Sequence, residues 1–209
     1  MSDIKYVKKK NFPPFLFKIF KIKPEDLPIT AYSRILCQNC GLYNRAILCP
    51  PMLALTYPEY KTIDSSIEFF NSFDYIYVYV FQNDGTKRFY YQREQSTYGH
   101  IRLRKVESGR QLKGIESVSA RWLTKLMYRI KRLNIKAGYD VQTYVQGHCD
   151  LCANKCPNRN NPPCKRGGLP SLESTGINVY SLLEQLGVEY QYPVMSYLTQ
   201  VTLMAIKEK

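Results

Sequence analysis

The chain has 209 residues, of which 44% are hydrophobic and 22% charged, with 11 glycines and 12 prolines. That excludes disordered, collagen-like and low-complexity classes and leaves room for one full core or two small ones. Thirty Lys and Arg against 17 Asp and Glu give a formal net charge of +13, which favours polyanionic partners. No apolar run reaches the roughly 18–20 residues of a membrane helix.

Residues 1–30 read as a basic arm over a single metal-binding domain formed by residues 31–209. The arm mixes lysines with Phe12, Phe15, Phe17 and Phe20, and prolines at 13, 14, 24 and 28 rule out one continuous helix. No apolar stretch followed by a cleavage site opens the chain, so a cytoplasmic location without membrane attachment is expected. A helix is predicted to start near Asp64, with Ser65 and Glu68 as a capping box, and to run through Phe70.

A strand follows over Asp74 to Gln82. It alternates Tyr75, Tyr77 and Tyr79 with Ile76, Val78 and Val80, which sets an aromatic face against an aliphatic one. The aromatic face either stacks bases or, the more usual arrangement, lies under a helix. Gln111 to Lys136 carries Leu112, Ile115, Val118, Trp122, Leu126, Ile130 and Leu133 at helical spacing. Beside that stripe Arg121, Lys125, Arg129, Arg132 and Lys136 align five cations. Like charges at this spacing repel by tenths of a kcal/mol per pair, and a polyanion would relieve them.

Tyr139 to Gln146 reads as a strand that runs into a cysteine-rich segment. Ser171 to Leu186 reads as a helix stopped by Gly187, and Thr199 to Ile206 as a last strand. The fold class expected is α/β or α+β, with a mixed sheet, flanking helices and two cysteine-rich metal-binding loops.

All seven cysteines fall in two blocks with none in the hundred or so residues between them. Their odd number, the spacing and the absence of an export signal make disulfides the weaker reading. Cys149, Cys152, Cys156 and Cys164 place four thiols within sixteen residues, and such a set closes a zinc site or holds a 4Fe-4S cluster. Three closely spaced cysteines ending in Cys156-Pro157 resemble a stretched ferredoxin run more than two separated zinc knuckles. Cys37, Cys40 and Cys49 offer three thiols and an open position. An open position is what a reactive metal centre needs. It could instead be completed by the other block or by His148, or both blocks could share one centre. As isolated histidines, His148 and His100 read as surface or hydrogen-bonded residues.

Cys37-x2-Cys40-x2-Tyr43, Cys49-Pro50-Pro51, the later cysteines and the run Pro170 to Val179 together resemble a family of small archaeal and bacterial proteins described as predicted metal-binding proteins. The resemblance covers about Cys37 to Pro51 and His148 to Gly187, and it implies metal binding without an established reaction. The chain has Leu169 where the family often has an arginine, and Asn178 where it often has an aspartate.

The function expected is an iron-sulfur protein with one or two 4Fe-4S clusters, serving redox or sulfur-related chemistry in anaerobic metabolism. It would be recruited to tRNA, other nucleic acid or an acidic redox protein by the basic face. Two alternatives stand beside it. One is a zinc-stabilised RNA- or DNA-binding module without catalysis, the other a cluster or metal carrier. No P-loop, H-E-x-x-H, nucleophile elbow or dinucleotide fingerprint is present.

Overall fold

The computed structural model describes residues 5–6, 15–40, 42–44, 46–84, 110–152, 164, 167–191 and 197–208. Among these residues five strands form one sheet: β1 (Lys5–Tyr6), β2 (Phe15–Ile22), β3 (Tyr75–Asp84), β4 (Asp140–Val145) and β5 (Tyr197–Lys207). Their order is β1-β2-β3-β5-β4, and each strand pairing is antiparallel. The helices are α1 (Ala31–Gln38), α2 (Met52–Thr56), α3 (Ile63–Asn71), α4 (Arg110–Lys136) and α5 (Val179–Gln185). Helices and sheet together give the expected α/β class, but the sheet among the described residues is antiparallel throughout where a mixed one was expected, because no two neighbouring strands run in the same direction. No helix among the described residues is long and apolar enough to cross a membrane.

The period-2 alternation of β3 divides the core in two. Ile76, Val78 and Val80 face a cluster that includes Leu53 of α2, Phe70 of α3 and Val179, Leu182 and Leu183 of α5. Tyr79 and Phe81 point the other way, onto Leu123 and Met127 of α4. The aromatic face therefore lies under a helix. The buried centre of α4 is Leu123 and Met127, one position past the Trp122–Leu126 stripe of the sequence, whose members pack at its edge. Leu133 at the end of the stripe is exposed. Burying Leu123 and Met127 contributes about 1.5–3 kcal/mol each.

Tyr144 of β4 is fully buried, and its hydroxyl lies 2.7 Å from that of Tyr60. Phe70 packs on both rings, with centroids 5.2 Å from Tyr144 and 6.3 Å from Tyr60.

Three local expectations change. The segment read as an arm supplies a full strand, β2, paired with β3 from Phe15↔Asn83 to Ile22↔Ile76. Prolines at 13, 14 and 24 bracket this run and do not interrupt it. Phe17 packs on the α4 face, and Phe20 and Ile22 pack on the opposite one. The α3 cap is Thr62, whose side chain accepts from Ser65 N–H while Ser65 Oγ accepts from Thr62 N–H. Ser65 thus takes the place in the capping box that the sequence reading gave to Glu68, and the helix starts at Ile63. Residues 171–186 do not form one helix. A 3-10 turn over Glu173–Thr175 stops at Gly176, with φ 98°, and α5 begins afresh after Asn178, which accepts from Ser181 N–H. A left-handed glycine ends a helix even where the apolar periodicity continues through it.

Candidate metal centre

The end of β4 organises the site. Val145 N–H donates to Pro170 O at 3.0 Å and Leu172 N–H to Val145 O at 2.9 Å, so the segment around Ser171 runs parallel to β4. Two residues past the Val145–Ser171 bridge in each segment, Gly147 N–H donates to Glu173 Oε2 at 3.1 Å. Gly147 leads directly into His148 and Cys149. The start of α1 is tied to the same place. Thr30 N–H donates to Gly176 O and Asn178 N–H to Pro28 O, both at 2.8 Å. A Cβ at Gly176 would lie 3.0 Å from Ile63 Cδ1 and 3.1 Å from Ile29 Cγ2, so the docking of α1 depends on glycine there. The segments that lead into the two cysteine blocks are thus held on the same turn.

In the first block Cys37 lies in the last turn of α1, Cys40 is exposed on the following turn, and Cys49 is buried. Burial pushes the Cys37 thiol up to about 11, helped by the charges of Glu173 and Cys40 and opposed by Arg34. Burial likewise pushes Cys49 up to about 12, with Cys37, Cys40 and Glu173 adding to it. Burial raises the Glu173 carboxyl too, against donors from its own backbone, Gly147 and Ser171 and the charge of His148. Arg34 directs its terminal nitrogens elsewhere, to Lys61 O, Thr62 O and Ser66 Oγ at 2.8–3.0 Å. Burial is the main cause for Cys37, Cys49 and Glu173, so each is held towards its protonated form, and ionising them together would need a compensating cation.

The second block is built around Gly168. A Cβ at this position would lie 3.2 Å from Cys164 Sγ, 3.5 Å from Cys149 Sγ and 2.6 Å from Leu48 Cδ1. A side chain here would push Leu48 aside, crowd the Cys164 sulfur and touch that of Cys149. Backbone hydrogen bonds from Leu169 and Leu151 favour the Cys149 thiolate, while burial, the larger effect, opposes it, and Cys164 and Cys152 add to the opposition. Leu48, the neighbour of Cys49, reaches the Gly168 backbone and so places the blocks side by side. Tyr57 lies in the field of Cys164 and Cys149, and burial is the main cause of its raised hydroxyl.

The six described cysteines are all free thiols, and Cys156 lies outside the described residues. As the side chains stand, no group of three His, Cys, Asp or Glu among the described residues could hold a metal ion. What the structure provides is the gathering of the blocks and a donor set of soft thiolates that suits zinc or iron-sulfur chemistry. His148 is half-exposed, with Nε2 3.2 Å from Asp150 Oδ1, in keeping with a surface histidine. His100 lies outside the described residues.

The five cations of α4 divide. Arg121 is half-buried, with an unpaired Nε among the described residues, and Lys125 is also half-buried. Arg129, Arg132 and Lys136 are exposed and, with Tyr128 and Leu133, line a hollow of about 250 Å³.

Sequence reasoning missed three residues of the site: Glu173, Gly168 and Arg34. Glu173 lies nine residues past Cys164, and its place beside Gly147 is set by the β4 pairing. The Gly167-Gly168 pair just after Cys164 was the available signal, since paired glycines mark a close backbone approach. Arg34, one turn before Cys37 on α1, had none.

Neither a curated protein nor a solved structure matches the chain. A family model described as "Predicted metal-binding protein (DUF2284)" matches residues 20–206, and the chain belongs to that family.

Proposed function

We propose that the protein is an iron-sulfur protein. Cys149, Cys152, Cys156 and Cys164 would hold one 4Fe-4S cluster, and Cys37, Cys40 and Cys49 a second centre with a position left over for another ligand. The observation that carries this reading is the approach of Cys149 and Cys164 to one glycine, with the backbone N–H groups of Leu151 and Leu169 supporting the Cys149 sulfur. N–H donors to sulfur and close backbone packing stabilise metal-bound thiolates and tune iron-sulfur potentials. The ferredoxin-like run ending in Cys156-Pro157 favours iron over zinc.

Bound clusters would supply one-electron transfer or a site for a sulfur ligand, which fits redox or sulfur-related chemistry in anaerobic metabolism. The chain's own part is to hold the thiols, keep water from Cys49 by burial, and bring in a partner. The exposed Arg129, Arg132 and Lys136 suit a polyanion such as tRNA or an acidic redox protein, in keeping with a soluble cytoplasmic protein.

Anaerobic reconstitution followed by iron and sulfide assay and electron paramagnetic resonance tests the proposal. About four irons and four sulfides per cluster are expected, and fewer than about three irons per chain overturns it. The exposed α4 stripe also favours a second reading, a zinc-stabilised nucleic-acid module. Colourless protein with stoichiometric zinc and salt-sensitive RNA binding would select it. A brown protein indifferent to RNA would remove it.

A further inference from the structure

Cross-strand register puts Phe17, Ile19 and Lys21 of β2 on the same face of the sheet as Tyr77, Tyr79 and Phe81 of β3, and sets Met204 of β5 beside Tyr77. α4 crosses this face, but its cover is uneven. Phe81 and Tyr79 are 3% and 7% exposed, whereas Tyr77 and Tyr75 are only half-buried and Ile19, on the neighbouring strand, is 39% exposed. One end of the aromatic face is therefore open. Lys21 stands over it, with Nζ 3.3 Å from the Tyr75 ring centroid and 6.0 Å from that of Tyr77. The charged end of α4 comes alongside. Asn134 donates from Nδ2 to Met204 Sδ at 3.9 Å, one strand away from Tyr77. The residues just before Asn134 include the exposed Arg129, Arg132 and Leu133, and the exposed Lys136 follows it.

We propose that this open end is a platform for single-stranded nucleic acid, with bases against Tyr75 and Tyr77 and phosphates on Lys21, Arg129, Arg132 and Lys136. This rests on the reading of the three α4 cations as a polyanion surface, and it gives that polyanion a chemistry. Phosphate charge alone is met by any cationic stripe. Tyrosine rings at the sheet surface add a contact for unstacked bases, and because every base has a π-face, stacking on them tolerates any sequence. A duplex keeps its bases inside, and the carboxylates of an acidic protein engage the cations while leaving the rings unused. Lys21 rests against Tyr75 as a cation on an aromatic face. On binding it turns to a phosphate and frees that face for a base.

The test measures binding of the full chain to a labelled oligouridylate of about 12 nucleotides by fluorescence anisotropy across a salt series, beside an RNA duplex of the same length and polyglutamate. Wild type should prefer the single strand, and equal affinity for the duplex overturns the proposal. Tyr75→Leu with Tyr77→Leu removes both rings and keeps apolar bulk. It should weaken oligouridylate binding by about fivefold to a hundredfold with the salt slope unchanged, while Tyr75→Phe with Tyr77→Phe binds like wild type. Lys21→Gln should lower the log–log salt slope by about 0.7. If Ala at 129, 132 and 136 reduces the slope while the Leu pair binds like wild type, the cationic surface stands and the platform does not. If those three Ala changes leave slope and affinity as they were, the polyanion reading itself fails and the proposal with it. Polyglutamate that competes as well as oligouridylate makes the face a dock for an acidic protein, which also overturns it. Should the Leu pair not fold, photocrosslinking of an iodouridine-substituted oligonucleotide to wild type decides. Adducts on the peptides carrying Tyr75 and Tyr77 are expected, and their absence overturns the proposal.

Discussion

Cys37 and Cys49 carry their protons well past the ordinary thiol value of 9.0, to about 11 and about 12 in the folded, metal-free chain. Between 9 and those values the unfolded chain binds fewer protons than the folded one, so raising the pH favours unfolding. The stability these thiols contribute is complete below pH 9 and lost as the pH climbs through 11 to 12. Metal affinity runs the other way, because each thiol must lose its proton to bind. Metal-free protein should therefore show a falling urea midpoint above pH 9, while zinc or cobalt affinity should rise between pH 6 and 8. A metal affinity independent of pH would show that these thiols are not ligands. Gly168 provides a second check at this scale. Its Cβ would meet two sulfurs and Leu48 Cδ1, so Gly168→Ala should lower metal affinity at the second block by about 10- to 100-fold, the range for disturbed supporting residues. Equilibrium competition with a chelator measures it.

Among the elements, β4 joins the core to the site, since it carries Tyr144 and ends at Gly147. Tyr144→Phe leaves the buried Tyr60 hydroxyl without its 2.7 Å partner and should cost about 1–3 kcal/mol in urea unfolding. Changing both tyrosines to Phe should cost less than the sum of the single changes, because neither buried hydroxyl is then stranded. Most of the elements were legible in the sequence. The strand at Tyr75–Asp84, the long helix ending at Lys136 and the strand at Asp140–Val145 all follow periodicities of 2 or 3.6 that burial enforces. β2 was hidden because lysines at 18 and 21 broke its apolar run, although a strand needs only alternate positions buried. The break at Gly176 was hidden because apolar spacing continues across it. Of the site, the thiols and their grouping could be read from spacing. Glu173 could not, since it is placed by hydrogen bonds between β4 and the segment around Ser171, and Arg34, though one turn before Cys37, carried no motif of its own.

At the scale of the whole molecule, charge and metal set the behaviour. If the α4 stripe binds single-stranded RNA, replacing Arg129, Arg132 and Lys136 with Ala should reduce the log–log salt slope by about two and leave metal content unchanged. Filter binding across a salt series reads this, and an unchanged slope would place the contact elsewhere. Stripping metal from loaded protein should lower its thermal midpoint, since whatever binds only the folded state stabilises it. The strand order carries a consequence for biogenesis. β5 lies between β3 and β4 and among the described residues is the only strand that pairs with β4, yet it follows every cysteine along the chain. Until Tyr197 and the residues after it are made, β4 can lean only on α4 and on the segment around Ser171, and the sheet that backs the cysteine-bearing corner stays open. Closure of that sheet is therefore the last step of assembly, left to the C-terminal strand.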